Sequence, residues 1–153
     1  MGAVKGRPAV ILLAEDDPAD QKITKRALKE AKIHNDLHIV ENGEEALDYL
    51  QRKGKYEDPA LSPAPDLLLL DLNMPKLDGR QVLERIQKIS DLHRIRIVVL
   101  TTSNQEADIL KSYDLGVHSY ITKPVDFDQF RHVVKTLGEY WFQIVVLPPH
   151  EED

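Results

Sequence analysis

Cysteine is absent from the 153 residues. Disulfides, thiolate metal sites, thiol nucleophiles and cysteine-linked chromophores are therefore excluded. Positive charge is also scarce: 20 Lys and Arg stand against 26 Asp and Glu, for a formal charge of −6. A general nucleic-acid binder needs a positive face for phosphate contacts, so none is expected. No apolar run reaches the length of a membrane span. The opening "MGAVKGRPAVILL" turns acidic after a short apolar stretch, unlike a secretion signal. A cytoplasmic protein with no membrane partner is the expectation. Internal repeats and low-complexity tracts are lacking too.

What is present is alternation. "AVILLA" (9–14) is an apolar run of strand length that ends in Glu15, Asp16 and Asp17. A helical stretch comes next, with Ile23, Ala27, Leu28 and Ala31 roughly on one face. "LHIVE" (37–41) is strand-like, and Gly43 opens the short amphipathic helix "EEALDYLQRK". Residues 54–65 hold three prolines and read as a loop. "DLLLLD" (66–71) is a second buried run, and 79–89 is helical through Val82, Leu83, Ile86 and Ile89. "IRIVVLTT" (95–102) is a β-branched strand; "QEADILKSYDLG" is a helix closed by Gly116. A short strand at 118–122 and a long helix from Asp126 complete the order.

Strands apolar on both faces and alternating with helices call for a parallel sheet covered on both sides. The expected fold is one doubly wound α/β domain with five parallel strands and five helices. In such sheets the functional crevice lies beyond the carboxyl ends of the strands. Glu15-Asp16-Asp17, Asp71, Thr101-Thr102 and Lys123 all fall at those ends. Crowded carboxylates repel one another unless a cation neutralises them, and a hard ion with oxygen ligands, Mg2+, is the natural partner. A carboxylate can also act as a nucleophile and become an aspartyl phosphate. This assigns the expected roles. Asp71 is the nucleophile, Glu15 and Asp16 hold metal, and the Asn73 backbone carbonyl completes its shell. Thr101 and Lys123 grip phosphoryl oxygens. Asp17, with Pro18 after it, is as well suited to start the first helix as to bind metal. Gly43 and Gly79 read as a turn glycine and a helix-entry glycine.

"LLAEDDP", "LLLLDLNMPKLDG", "VVLTTS" and "SYITKP" together resemble the receiver domain of two-component response regulators, over about residues 8–140. The resemblance implies a flavodoxin-like receiver with strand order 2-1-3-4-5. It makes Glu15 and Asp16 the acidic pair, Asp71 the phosphoacceptor, Thr101 the switch hydroxyl, Tyr120 the switch aromatic and Lys123 the phosphate-binding lysine. It also implies a cis Lys123–Pro124 peptide and a sensor histidine kinase as phosphodonor, since none of the six histidines looks like one. Glu15 stands where aspartate is also common, and its longer reach suggests contact with the metal through water. The tail "YWFQIVVLPP" and the proline-containing insertion resemble the small regulators paired with phytochromes.

Rival functions share parts of this pattern. An Mg2+-dependent aspartyl-phosphate phosphohydrolase commonly carries a second acid two residues after its nucleophile; that position is Asn73, which has no proton to give. A signalling protein rather than an enzyme is therefore expected. A flavodoxin-type flavin site would need a Ser/Thr/Gly-rich loop where "EDDPAD" stands. A constitutive receiver-like binding module would have lost the acids or the lysine.

The domain is expected to span 8–147, with an arm at 1–7 and a tail at 148–153. The residues beyond the domain are too few for a DNA-binding module, so output by protein contact is expected. On the last helix Phe130, Val133, Val134, Leu137, Trp141, Ile144 and Val145 form one stripe, while Phe142 and Val146 fall on the polar face. Phe142, Val146 and Leu147 are therefore the expected interface of a homodimer.

Overall fold

The computed structural model describes residues 8–137. The expected arm at 1–7, the end of the domain with Phe142, Val146 and Leu147, and the tail at 148–153 lie outside the described residues.

Five strands form one parallel sheet: β1 (Ala9–Ala14), β2 (Asn35–Val40), β3 (Leu67–Asp71), β4 (Arg96–Thr101) and β5 (Ser119–Thr122). Their order is β2-β1-β3-β4-β5, the doubly wound arrangement expected from the sequence. Five helices connect or follow them: α1 (Pro18–Glu30), α2 (Gly43–Gln51), α3 (Gly79–Gln87), α4 (Asn104–Lys111) and α5 (Phe127–Leu137). None among the described residues is long and apolar enough to cross a membrane.

Strand alternation divides the core in two. Ile11, Leu13, Leu67, Leu69, Val98, Leu100 and Ile121 face α1 and α5, where they meet Ala27, Leu28, Phe130 and Val133. Leu12, Leu68, Leu70, Ile97 and Val99 face the opposite layer, against Ala46, Leu47, Val82, Leu83, Ile86 and Leu110. The four leucines 67–70 serve both layers and are all buried. Each contributes roughly 1.5–3 kcal/mol on burial, which anchors the strand that carries Asp71.

Helix starts are fixed by local chemistry. Asp17 Oδ1 accepts from Ala19 N–H at 2.9 Å, with Pro18 in the first turn; the residue left open between cap and ligand is a cap. Asn42 caps α2 through Glu45 N–H at 2.8 Å. The insertion before β3 contains a 3-10 turn at Gly54–Tyr56. It is pinned by Tyr49, whose hydroxyl donates to the Pro63 carbonyl at 2.8 Å, and by Tyr56, whose hydroxyl donates to Glu45 Oε2 at 2.8 Å.

Three details differ from the sequence expectation. On α1 Ala27, Leu28 and Ala31 are buried as expected, but Thr24, at 1% exposure, takes the place of Ile23, which is 38% exposed. α4 ends at Lys111 with its cap at Ser112, before Gly116. Asp114 and Gly116, with φ of 51° and 77°, turn the chain toward β5. Gly43 and Gly79 do open helices, but proximity is the reason. A Cβ on Gly43 would collide with the Leu77 carbonyl, and one on Gly79 would lie 2.7 Å from the Asp71 carbonyl oxygen.

Candidate functional site

Parallel register brings the chemistry to one edge. Ala14 pairs with Leu70, so the next residues, Glu15 and Asp71, lie side by side. Asp71 pairs with Leu100, which places Thr101 on its other flank. Thr101 pairs with Thr122, and Lys123 N–H donates to the Thr101 carbonyl at 2.7 Å. The Lys123–Pro124 peptide is cis, as the resemblance implies.

Glu15 and Asp71 are buried, at 0% and 3% exposure, and Asp16 is exposed. One carboxylate oxygen from each of Glu15, Asp16 and Asp71 lies within 4.8 Å of the others, a set able to hold a metal ion. Lys123 reaches into this cluster. Its Nζ is 2.8 Å from Glu15 Oε1, 3.1 Å from Asp20 Oδ2 and 3.2 Å from Asp71 Oδ1. Burial pushes the Glu15 carboxyl up to about 7; the Lys123 hydrogen bond pulls it down and the Asp71 charge raises it further. For Lys123 burial works against the charge, but the hydrogen bond to Glu15 and the charges of Asp71 and Glu15 outweigh it and raise the pKa.

Two backbone amides fix the acids. Asn73 N–H donates to Asp71 Oδ1 at 3.2 Å, and Asp17 N–H to Glu15 Oε2 at 3.3 Å. The Asn73 side chain is exposed. Thr101 is 1% exposed, and its hydroxyl donates to Glu106 Oε1 at 2.9 Å rather than to Asp71. Tyr120, half-buried, pairs with Val99 on the same sheet face as Thr101. Lys111 Nζ stands 5.1 Å from its ring centroid, and burial raises the phenol pKa.

A model of the response regulator receiver domain matches residues 11–135. The chain belongs to the response regulator receiver family. It is 44% identical to response regulator Rcp1 of Synechocystis over 92% of this chain and 94% of that protein. Among solved structures, the bacteriophytochrome response regulator RtBRR is 41% identical with a TM-score of 0.81, over 88% of this chain and 80% of that one. The Mn2+-bound form of Rcp1 is 45% identical with a TM-score of 0.70, over 92% of this chain and 99% of that one.

In this receiver the structure brings together Glu15, Asp16, Asp71 and Lys123 and keeps the Asn73 backbone against Asp71. It sets Thr101 and Tyr120 beside them on β4 and β5. Two participants were not singled out in the sequence: Asp20, which shares Lys123, and Glu106, which holds Thr101. Both are acids in the first turn of a helix. That position ordinarily reads as favourable to the helix dipole, which is why neither stood out.

Proposed function

We propose that the protein is a single-domain response regulator, signalling through a receiver domain that spans 8–147. It accepts a phosphoryl group on Asp71 from a sensor histidine kinase in an Mg2+-dependent reaction. The observation that carries this reading is the convergence of three carboxylates and one lysine at the sheet edge. An Asp71 carboxylate oxygen attacks phosphorus, and the phosphorus–nitrogen bond to the donor histidine breaks. Asp71 is well placed to do so: burial limits competition from water, and the Asn73 amide orients one of its oxygens. The hard oxygen set of Glu15, Asp16, Asp71 and the Asn73 carbonyl suits Mg2+, with Glu15 acting directly or through water. When bound, the ion neutralises charge developing on the phosphoryl oxygens. Lys123 neutralises the buried acids in its absence and then turns to a phosphoryl oxygen, joined by the Thr101 hydroxyl. Tyr120 fills the space that Thr101 leaves.

The donor is proposed to be a phytochrome, because relatives of this chain include the phosphorylated cyanobacterial phytochrome response regulator RcpA, 43% identical with a TM-score of 0.70 over 88% of this chain and 94% of that one. Homodimer formation through Phe142, Val146 and Leu147 belongs to the same proposal and rests on the sequence pattern, as does a cytoplasmic location. Incubation with acetyl phosphate and Mg2+, then intact mass and peptide mapping, tests the central claim. One phosphoryl group on Asp71, lost in Asp71→Asn, is expected. Phosphorylation at another residue in that variant would refute it.

A further inference from the structure

Ser103-Asn104-Gln105-Glu106 has the pattern of a capping box, in which the last side chain returns to the backbone N–H of the first residue. α3 closes such a box: Asp78 N–H donates to Gln81 Oε1 at 3.1 Å, and Gln81 N–H to Asp78 Oδ1 at 3.0 Å. At α4 only half is closed. Ser103 Oγ accepts from Gln105 N–H at 3.1 Å and Glu106 N–H at 3.3 Å. The returning half is intercepted by Thr101. Ser103 N–H donates to Thr101 Oγ1 at 3.2 Å, and Thr101 Oγ1 donates onward to Glu106 Oε1 at 2.9 Å. The threonine stands between two groups that would otherwise bond to each other.

The Thr101 hydroxyl has one proton. The Ser103 carbonyl is a second acceptor at 3.2 Å, but the contact to the carboxylate is shorter and charge-assisted. Rotation of Thr101 toward Asp71 breaks the contact to Glu106 and strips Ser103 N–H of its acceptor. Ser103 is half-buried, and an amide partly shielded from water loses free energy when its protein acceptor is removed. Glu106 is the group the motif itself supplies to replace it.

We infer that Glu106 is a positioning residue with two settings. It holds the Thr101 hydroxyl in the resting protein, and it closes the α4 capping box onto Ser103 N–H when Thr101 turns to a phosphoryl group on Asp71. The inference rests on the reading of Asp71 as the phosphoacceptor. Ser103 N–H has an acceptor and the Glu106 carboxylate a donor in both settings, so the element is bistable rather than strained. The second setting carries an event at Asp71 into the first turn of α4.

Amide exchange at Ser103, measured by NMR on the full chain with Mg2+ and with or without acetyl phosphate, tests this; intact mass is recorded alongside. The unaltered protein keeps the amide protected in both states, because its acceptor changes from Thr101 to Glu106. In Glu106→Ala protection persists without acetyl phosphate, through Thr101. With acetyl phosphate the amide exchanges roughly five- to tenfold faster, the scale of one lost hydrogen bond. Glu106→Gln restores protection in both states, since an amide oxygen also closes a capping box. A residue that merely stabilised α4 would change Ser103 exchange equally in the two states. Equal exchange in Glu106→Ala whose mass has risen by one phosphoryl group would overturn the inference and leave the phosphoacceptor reading intact. Absence of any mass gain in the unaltered protein would overturn that reading and this one with it.

Discussion

The ammonium of Lys123 lies 2.8 Å from Glu15, a carboxylate 1% exposed, and closes the sheet edge over it. The lysine side chain is itself only 11% exposed and touches Asp71 and Asp20 as well. Without a metal ion, this one cation is shared among three carboxylates and offsets part of their charge.

Replacing Lys123 with methionine should therefore destabilise the metal-free protein. Removing one partner of a buried pair costs about 3–5 kcal/mol, reduced here because Glu15 can take up a proton instead. A loss of about 2 kcal/mol is expected in EDTA, and excess Mg2+ should recover most of it. Denaturant melts under the two conditions check this; an equal loss in both would show that Lys123 packs rather than neutralises.

The Glu15 carboxyl gives a pH dependence with a definite sign. Its pKa in the folded protein is raised from 4.5 to about 7, so the folded state keeps a proton that the unfolded state has already released. In EDTA, stability should fall as pH rises through that window. Metal binding requires the ionised carboxylate, so Mg2+ affinity should rise over the same range, by up to about tenfold per pH unit below 7. Calorimetric titration at pH 6 and 8 with equal affinities would contradict it.

Gly79→Ala should distort the backbone that carries Asp71. The added Cβ would lie 2.7 Å from the Asp71 carbonyl oxygen and 2.8 Å from Leu72 Cα. Overpacking of this kind costs about 1–3 kcal/mol. The melting temperature and the rate of phosphorylation by acetyl phosphate should fall together, whereas Gly54→Ala, with nothing within 4 Å of its Cβ, should change stability without changing that rate.

Tyr49→Phe removes the hydrogen bond to the Pro63 carbonyl. A loss of about 1 kcal/mol is expected, together with faster proteolysis in residues 54–65. Unchanged cleavage there would show that Tyr56 and Glu45 suffice to hold the insertion.

Dimer formation is tested by sedimentation of the unaltered protein beside a Phe142→Glu/Val146→Glu variant. The unaltered protein should sediment as a dimer and the variant as a monomer. Two monomers at tens of micromolar would remove the proposed interface.

The sequence by itself determined the alternation of elements, the parallel sheet and the edge on which Glu15, Asp16, Asp71, Thr101 and Lys123 gather. These come from local properties: doubly apolar runs such as Leu67–Leu70, and the rule that parallel strands end on one side. Only the tertiary structure decided that Thr24 rather than Ile23 joins Ala27, Leu28 and Ala31 on the buried face of α1. Ile23 and Thr24 are one 100° step apart, and packing against α5 sets the phase. It alone showed that Gly43 and Gly79 are required by backbones from other segments, since close approach leaves no mark in a local pattern. It alone gave Lys123 its third carboxylate, Asp20, and turned the Thr101 hydroxyl toward Glu106. Hydrogen bonds are decided by differences of less than an ångström, and those distances are set by how helices seat on the sheet, which periodicity does not encode.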